Sequence, residues 1–251
     1  MKKLTILALS FSVIVACKSN TSSEKQQDTT QAVAQTDTTA IPVGETLWLD
    51  DVIACGDYDG LVKKYGTENI EKKATVTTGE GSFEVTKLYP NTVKEVEIYW
   101  KDGKEYKKIQ DALARLQLSD DKPLLGSPWA SKSGIRLGMK LSEVIKANGK
   151  TFTITGLGWD LGGMVVSWEG GTLGTRNINV RFDDYSTNNG GLSSEQYADI
   201  SGDREFDVNH PSIQKLNPIV SQVSVFAKPE IDKALGNKML KQVEEKQMPK
   251  H

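Results

Sequence analysis

Carboxylates are the side chains in this chain with the clearest potential for chemistry, and they gather in one short stretch. Asp203, Glu205 and Asp207 alternate through Ser201-Gly202-Asp203-Arg204-Glu205-Phe206-Asp207, with Asp183 and Asp184 upstream. Oxygen ligands at this spacing can hold calcium, and two carboxylates can share acid/base work. The same residues also read as a turn capped by Asp203, with Arg204 paired to a neighbour. That simpler reading is the expectation: no metal, with Asp203, Glu205 and Asp207 as the calcium set if one binds. Asp57-Tyr58-Asp59-Gly60 opens like a calcium loop but lacks the third acid and the later glutamate.

Other chemistries lack their parts. Histidine is limited to His210 and the terminal His251, and no Gly-x-Ser-x-Gly elbow supplies a nucleophile for a Ser-His-Asp triad. Zinc needs several Cys or His ligands, and apart from the N-terminal Cys17 the chain offers only Cys55, His210 and His251. Cys55 lies among Asp50, Asp51, Asp57 and Asp59, whose charges raise a thiol pKa and lower its reactivity. Gly156-Leu157-Gly158-Trp159-Asp160-Leu161 fails the dinucleotide fingerprint, since Leu161 stands where the third glycine belongs. No catalytic residue and no cofactor is expected.

Aromatic rings beside glycines are the remaining candidates. Trp100, Trp129, Trp159 and Trp168 suit either a core or a platform for a flat ligand. Seven glycines fall between Gly156 and Gly174, around Trp159 and Trp168. Trp159 and Asp160 are taken as the candidate binding surface, with Trp159 partly exposed and Trp168 buried. Trp129, inside the turn-rich stretch 119–134, is expected to be a plug between two halves.

The elements that position these residues follow from periodicity. Asp57 is the expected N-cap of a helix over Tyr58–Tyr65 that ends at Gly66, and Leu141–Asn148 is a second helix ending at Gly149. Period-2 alternation marks strands over Ser82–Tyr89, Glu95–Trp100, Thr151–Thr155 and Asn177–Phe182, and Val220–Phe226 reads as a late strand. In the first of these Phe83, Val85 and Tyr89 are the expected inward set. Asp111–Leu118 is read as a strand, because each helix is then followed by about four strands. Pro229–Glu245 reads as a C-terminal helix. The expected fold is α+β: two tandem copies of a short helix plus an antiparallel sheet, at 43–120 and 121–249.

The N-terminus carries a resemblance. Lys2 and Lys3 precede an apolar run from Leu4 to Ala16 that ends in Ile14-Val15-Ala16-Cys17. This resembles the lipobox of bacterial lipoprotein precursors. It implies a signal peptide over 1–16, lipid on Cys17, and a run too short to span a bilayer. Residues 17–42, rich in Ser, Thr and Gln, read as a lipidated, unstructured tether. Gly158-Trp159-Asp160-Leu161-Gly162-Gly163 with Ser167-Trp168, and Gly202-Asp203-Arg204-Glu205-Phe206 followed by Leu216-Asn217-Pro218, resemble blocks of uncharacterised Gram-negative lipoproteins. Gly134-Ile135-Arg136-Leu137-Gly138 running into Leu141-Ser142-Glu143-Val144 and Gly149-Lys150 resembles small outer-membrane assembly lipoproteins and β-lactamase-inhibitor-like repeats. Those implied folds pack a helical layer on an antiparallel sheet. The second copy and the long loops depart from the assembly pattern, so no barrel-assembly role is carried over.

The chain has a formal net charge of −2. Loss of Lys2 and Lys3 leaves it more acidic, and no basic stripe is present, so nucleic acid is not an expected partner. The expected function is a lipid-anchored, non-catalytic interaction module of the cell envelope, on the outer membrane. Its partners are the membrane through the lipid and another envelope protein or a glycan. The alternative is an envelope enzyme acting on glycan or peptidoglycan through carboxylates. Cys17→Ser is expected to leave an unprocessed precursor that incorporates no labelled palmitate; normal labelling rejects the lipid site.

Overall fold

The computed structural model describes residues 45–79 and 81–228. The expected signal peptide, the Cys17 tether and the C-terminal helix lie outside them. The first described elements are strand β1 (Leu47–Trp48), helix α1 (Leu49–Ile53) and helix α2 (Tyr58–Tyr65). A meander follows: β2 (Ile70–Thr78), β3 (Gly81–Leu88), β4 (Val96–Trp100) and β5 (Ile109–Arg115). Short strands β6 (Leu118–Ser119), β7 (Lys122–Pro123) and β8 (Trp129–Ala130) lead to helix α3 (Leu141–Asn148). Then come β9 (Thr153–Thr155), β10 (Val165–Ser167), β11 (Ile178–Asp183), α4 (Ser194–Asp199), β12 (Glu205–Asp207), α5 (Pro211–Leu216) and β13 (Ile219–Phe226).

Local signals account for the two longer helices. The Asp57 carboxylate accepts from the Gly60 N–H at 2.8 Å, which satisfies one of the free donors at the start of α2. Glu143 reaches back to the Lys140 N–H at 2.8 Å at the start of α3. Both helices stop at a glycine of positive φ, 81° at Gly66 and 72° at Gly149.

The main sheet has six antiparallel strands in the order β11-β13-β5-β4-β3-β2. One face carries Val96, Ile98, Ala112, Ala114, Val180 and Val223, all buried. Helix α1 packs on this face against β5 and β13 through Leu49 and Val52. A separate antiparallel sheet, β10-β9-β12, sets Phe152 and Ile154 into the same core.

The fold is α+β, as expected, but no tandem repeat is shown. The first half does run as helix then four strands. In the second half β11 and β13 extend the first half's sheet, and β9, β10 and β12 form their own. The reason lies in β13. It is buried along most of its length and so needs a partner on each edge to satisfy its backbone. It finds them in β5 and β11.

Strand β3 corrects the expected inward set. Phe83 is 42 % exposed, whereas Thr86 is fully buried opposite Ile98. The Thr86 hydroxyl donates to the Lys72 carbonyl at 2.8 Å and accepts from the Trp100 indole at 2.9 Å, so burial leaves it satisfied. Strand β2 was not expected at all. It is an edge strand of lysines and threonines, which protect an edge from pairing and hide apolar alternation.

Trp129 is buried, and its indole donates to the Lys94 carbonyl at 2.8 Å, tying the turn-rich stretch to the start of β4. Trp168 is only partly buried, a correction to its expected core position. It covers Phe152 from outside, with ring centroids 5.0 Å apart, while Phe152 stacks on Phe182 at 5.9 Å. Phe152→Ala is therefore expected to cost about 3–5 kcal/mol of stability and Trp168→Ala clearly less. Denaturant unfolding of the two variants checks the order.

Candidate functional site

The expected site residues separate in space and role. Asp207 is used structurally: its carboxylate accepts from the Asn209 N–H at 2.7 Å and the Thr151 hydroxyl at 3.3 Å. Asp203 and Glu205 are exposed. Arg204 does not pair with a neighbouring carboxylate; it donates to the Asp199 carbonyl and lies over the Phe206 ring. Among the described residues no group of three or more His, Cys, Asp or Glu could hold a metal ion. His210 caps α5, its Nδ1 accepting from the Ser212 N–H at 3.3 Å and its Nε2 lying 3.2 Å from Asp199. Cys55 is half-buried and its thiol points at the Asp51 carbonyl, 3.4 Å away. Burial pushes that thiol's pKa up, Asp51 and Asp57 add to the shift, and Lys64 opposes it.

Trp159 and Asp160 sit in a loop that is tightly tied down. The Trp159 indole donates to the Gly156 carbonyl at 2.9 Å, leaving the ring partly exposed. The Arg181 guanidinium reaches from β11 to the Asp160 carbonyl at 2.9 Å and the Trp159 carbonyl at 3.3 Å. Thr155 donates to the Leu161 carbonyl at 2.5 Å. Gly163 lets the loop return against β11: a Cβ there would collide with the Phe182 carbonyl, and its φ is 72°. Leu161 is left 42 % exposed at the tip.

The tip of the β2–β3 hairpin meets this loop. The Asp160 carboxylate lies against Gly79, where a side chain would push it aside. The hairpin grows from one edge of the main sheet, and the loop lies against β11 at the other. Arg181 stands in register with Gln222, and Gln222 with Arg115, so its side chain belongs to the polar face of the sheet.

That polar face carries a cluster absent from the sequence-level expectations. Arg115 grips Glu97 with two bonds, at 3.1 and 3.2 Å, and Tyr99 donates to the same carboxylate at 2.9 Å. Glu97 is only 6 % exposed. Asp111 is paired across the strands with Tyr99, so it lies diagonal to Glu97. Its Oδ1 is buried with no hydrogen-bond partner. Burial raises its pKa from 3.8 to about 7; the Glu97 charge adds to the shift, while Arg115 opposes it. Only the period-2 alternation of β4 and β5 hinted at the cluster, since their register decides which polar residues meet. Two cavities lie elsewhere, one of about 350 Å³ beside Trp129 and one of about 420 Å³ beside α1.

No family model, curated protein or solved structure matches this chain.

Asp111 makes stability depend on pH. Between about 4 and about 7 the folded state holds a proton that the unfolded chain releases, so stability falls as pH rises through that window. Asp111→Asn is expected to stabilise by about 1–3 kcal/mol at pH 8, with the gain shrinking toward zero near pH 4. Urea unfolding at both pH values checks this.

Proposed function

We propose that this chain is a lipid-anchored envelope protein that works as a non-catalytic binding module, with Trp159, Asp160 and Leu161 as its contact surface. One observation carries the reading. A partly exposed tryptophan and an exposed leucine are presented on a loop whose backbone is clamped by Arg181 and buttressed by the β2–β3 hairpin. A loop held this way has little conformational entropy left to lose on binding. The lipid on Cys17 supplies the membrane contact and places the module in the envelope, on the outer membrane. Its partner is another envelope protein or a glycan.

The enzyme reading draws on Glu97 and Asp111, two carboxylates close together on one sheet face. It is the weaker of the two. Glu97 is only 6 % exposed and already accepts three bonds from Arg115 and Tyr99, which leaves a single buried lone pair out of reach of a substrate proton.

Duplication is part of the same proposal. Two eight-residue amphipathic helices, each closed by a positive-φ glycine and followed by strands, support divergent copies that now share a sheet.

Trp159→Ala and Leu161→Asp are expected to cost under about 1.5 kcal/mol of stability each, because both side chains already meet water. Both should weaken capture of envelope material by the lipidated protein. Unchanged capture by both variants, at unchanged stability, rejects this surface. Loss of peptidoglycan turnover in Glu97→Gln would favour the enzyme.

A further inference from the structure

The cavity of about 420 Å³ beside α1 shares no residue with the Trp159 loop. Its volume falls in the range of small-molecule sites. Ile53 and Ala54 at the end of α1, with Val225 and Phe226 at the end of β13, give it an apolar wall. The lining also carries Lys132, Arg176, Asn177 and Lys228.

The charges in the lining are unequally committed. Lys132 is occupied, its ammonium bonded to Asp51 at 2.5 Å. Asp50, the acid in the lining, already accepts from the Lys132 N–H at 2.7 Å. Arg176 and Lys228 make no ion pair with any described residue, although each lines the cavity. Asn177 is held beside them with φ of 50° by the bond from the Phe226 N–H to its carbonyl, at 2.8 Å.

We propose that this cavity binds a small amphipathic carboxylate, an aryl or short alkyl acid. Its apolar body lies on Ile53, Ala54, Val225 and Phe226, and its carboxylate lies between Arg176 and Lys228. Burying an apolar body favours occupancy but does not choose among ligands of one shape. The choice comes from the cations: the planar guanidinium matches a carboxylate in two parallel bonds, and the ammonium adds a point charge. A neutral ligand of equal shape leaves both cations unmatched.

The test uses the full lipidated chain in phosphatidylcholine nanodiscs, with empty nanodiscs as the blank. 2-Naphthoate and the uncharged 2-naphthalenemethanol are titrated by saturation-transfer NMR at pH 7.4. The acid is expected to bind roughly tenfold more tightly than the alcohol or better, as fits a charge-assisted pair. The double variant Arg176→Gln/Lys228→Gln should erase that preference while leaving the alcohol's affinity unchanged. Both side chains are exposed, so its thermal unfolding should match the parent. Ala54→Phe, which fills the apolar side, should abolish binding of both probes. Equal affinity for acid and alcohol overturns the proposal. So does a preference that survives the double variant, undiminished binding in Ala54→Phe, or no binding of either probe.

Discussion

Strand β13 can be buried only if both of its edges are paired, and the rest of the molecule is arranged around that constraint. It bonds to β5 on one side and β11 on the other, joining residues more than a hundred positions apart in the chain into one sheet. Its buried valines meet Ala112 and Ala114 of β5 and Ile178 and Val180 of β11 in register. Helix α1 packs on β5 and β13, and the Thr175–Asn177 turn that leads into β11 forms a wall of the α1 cavity. Without this pairing β5 would be a bare edge, and Arg181 would not share a face with Arg115.

The same alternation that builds the core builds its opposite. On the apolar face each strand contributes small or branched side chains. On the other face β4 and β5 bring Glu97, Tyr99, Asp111 and Arg115 together. Glu97 gains three hydrogen bonds there, two of them from the Arg115 guanidinium. Asp111 gains too few, and its low-polarity surroundings favour the protonated form. Neighbouring acids on one sheet face thus have opposite fates, decided by whether a guanidinium reaches them. The Trp159 loop depends on a guanidinium too: Arg181 fixes its backbone, so that Trp159 and Leu161 are displayed from a firm base.

Much of the local structure was legible in the residues. Asp57, the lysines after it and Gly66 marked α2 at both ends, and Leu141–Asn148 was equally plain. Strands β4 and β11 announced themselves by clean alternation, and β13 by its run of valines. Strand β2 did not, because an edge rich in lysine and threonine carries little apolar signal. The inward set of β3 escapes the apolar pattern, because Thr86 is buried through its hydrogen bonds and not through its hydrophobicity. Of the candidate site, Trp159 and Asp160 stood out by their glycine-dense setting. Gly79, Arg181 and the acid cluster did not, since each matters only through a partner distant in the chain.

By itself the sequence determined what depends on neighbours within a few residues: helix caps, the period of most strands, the turn-rich centre, and the lipobox-like start of the chain. It also determined an α+β class, since short amphipathic helices and alternating strands admit little else. Tertiary structure alone decided how the strands divide between sheets, and therefore that the two halves share a sheet. It decided that Trp168 lies over Phe152 and not within the core, and that Arg176 and Lys228 flank one cavity. The physical reason is register. A shift of one residue between β5 and β13 would send every side chain of one strand to the other face, and no local pattern specifies which strand pairs with which.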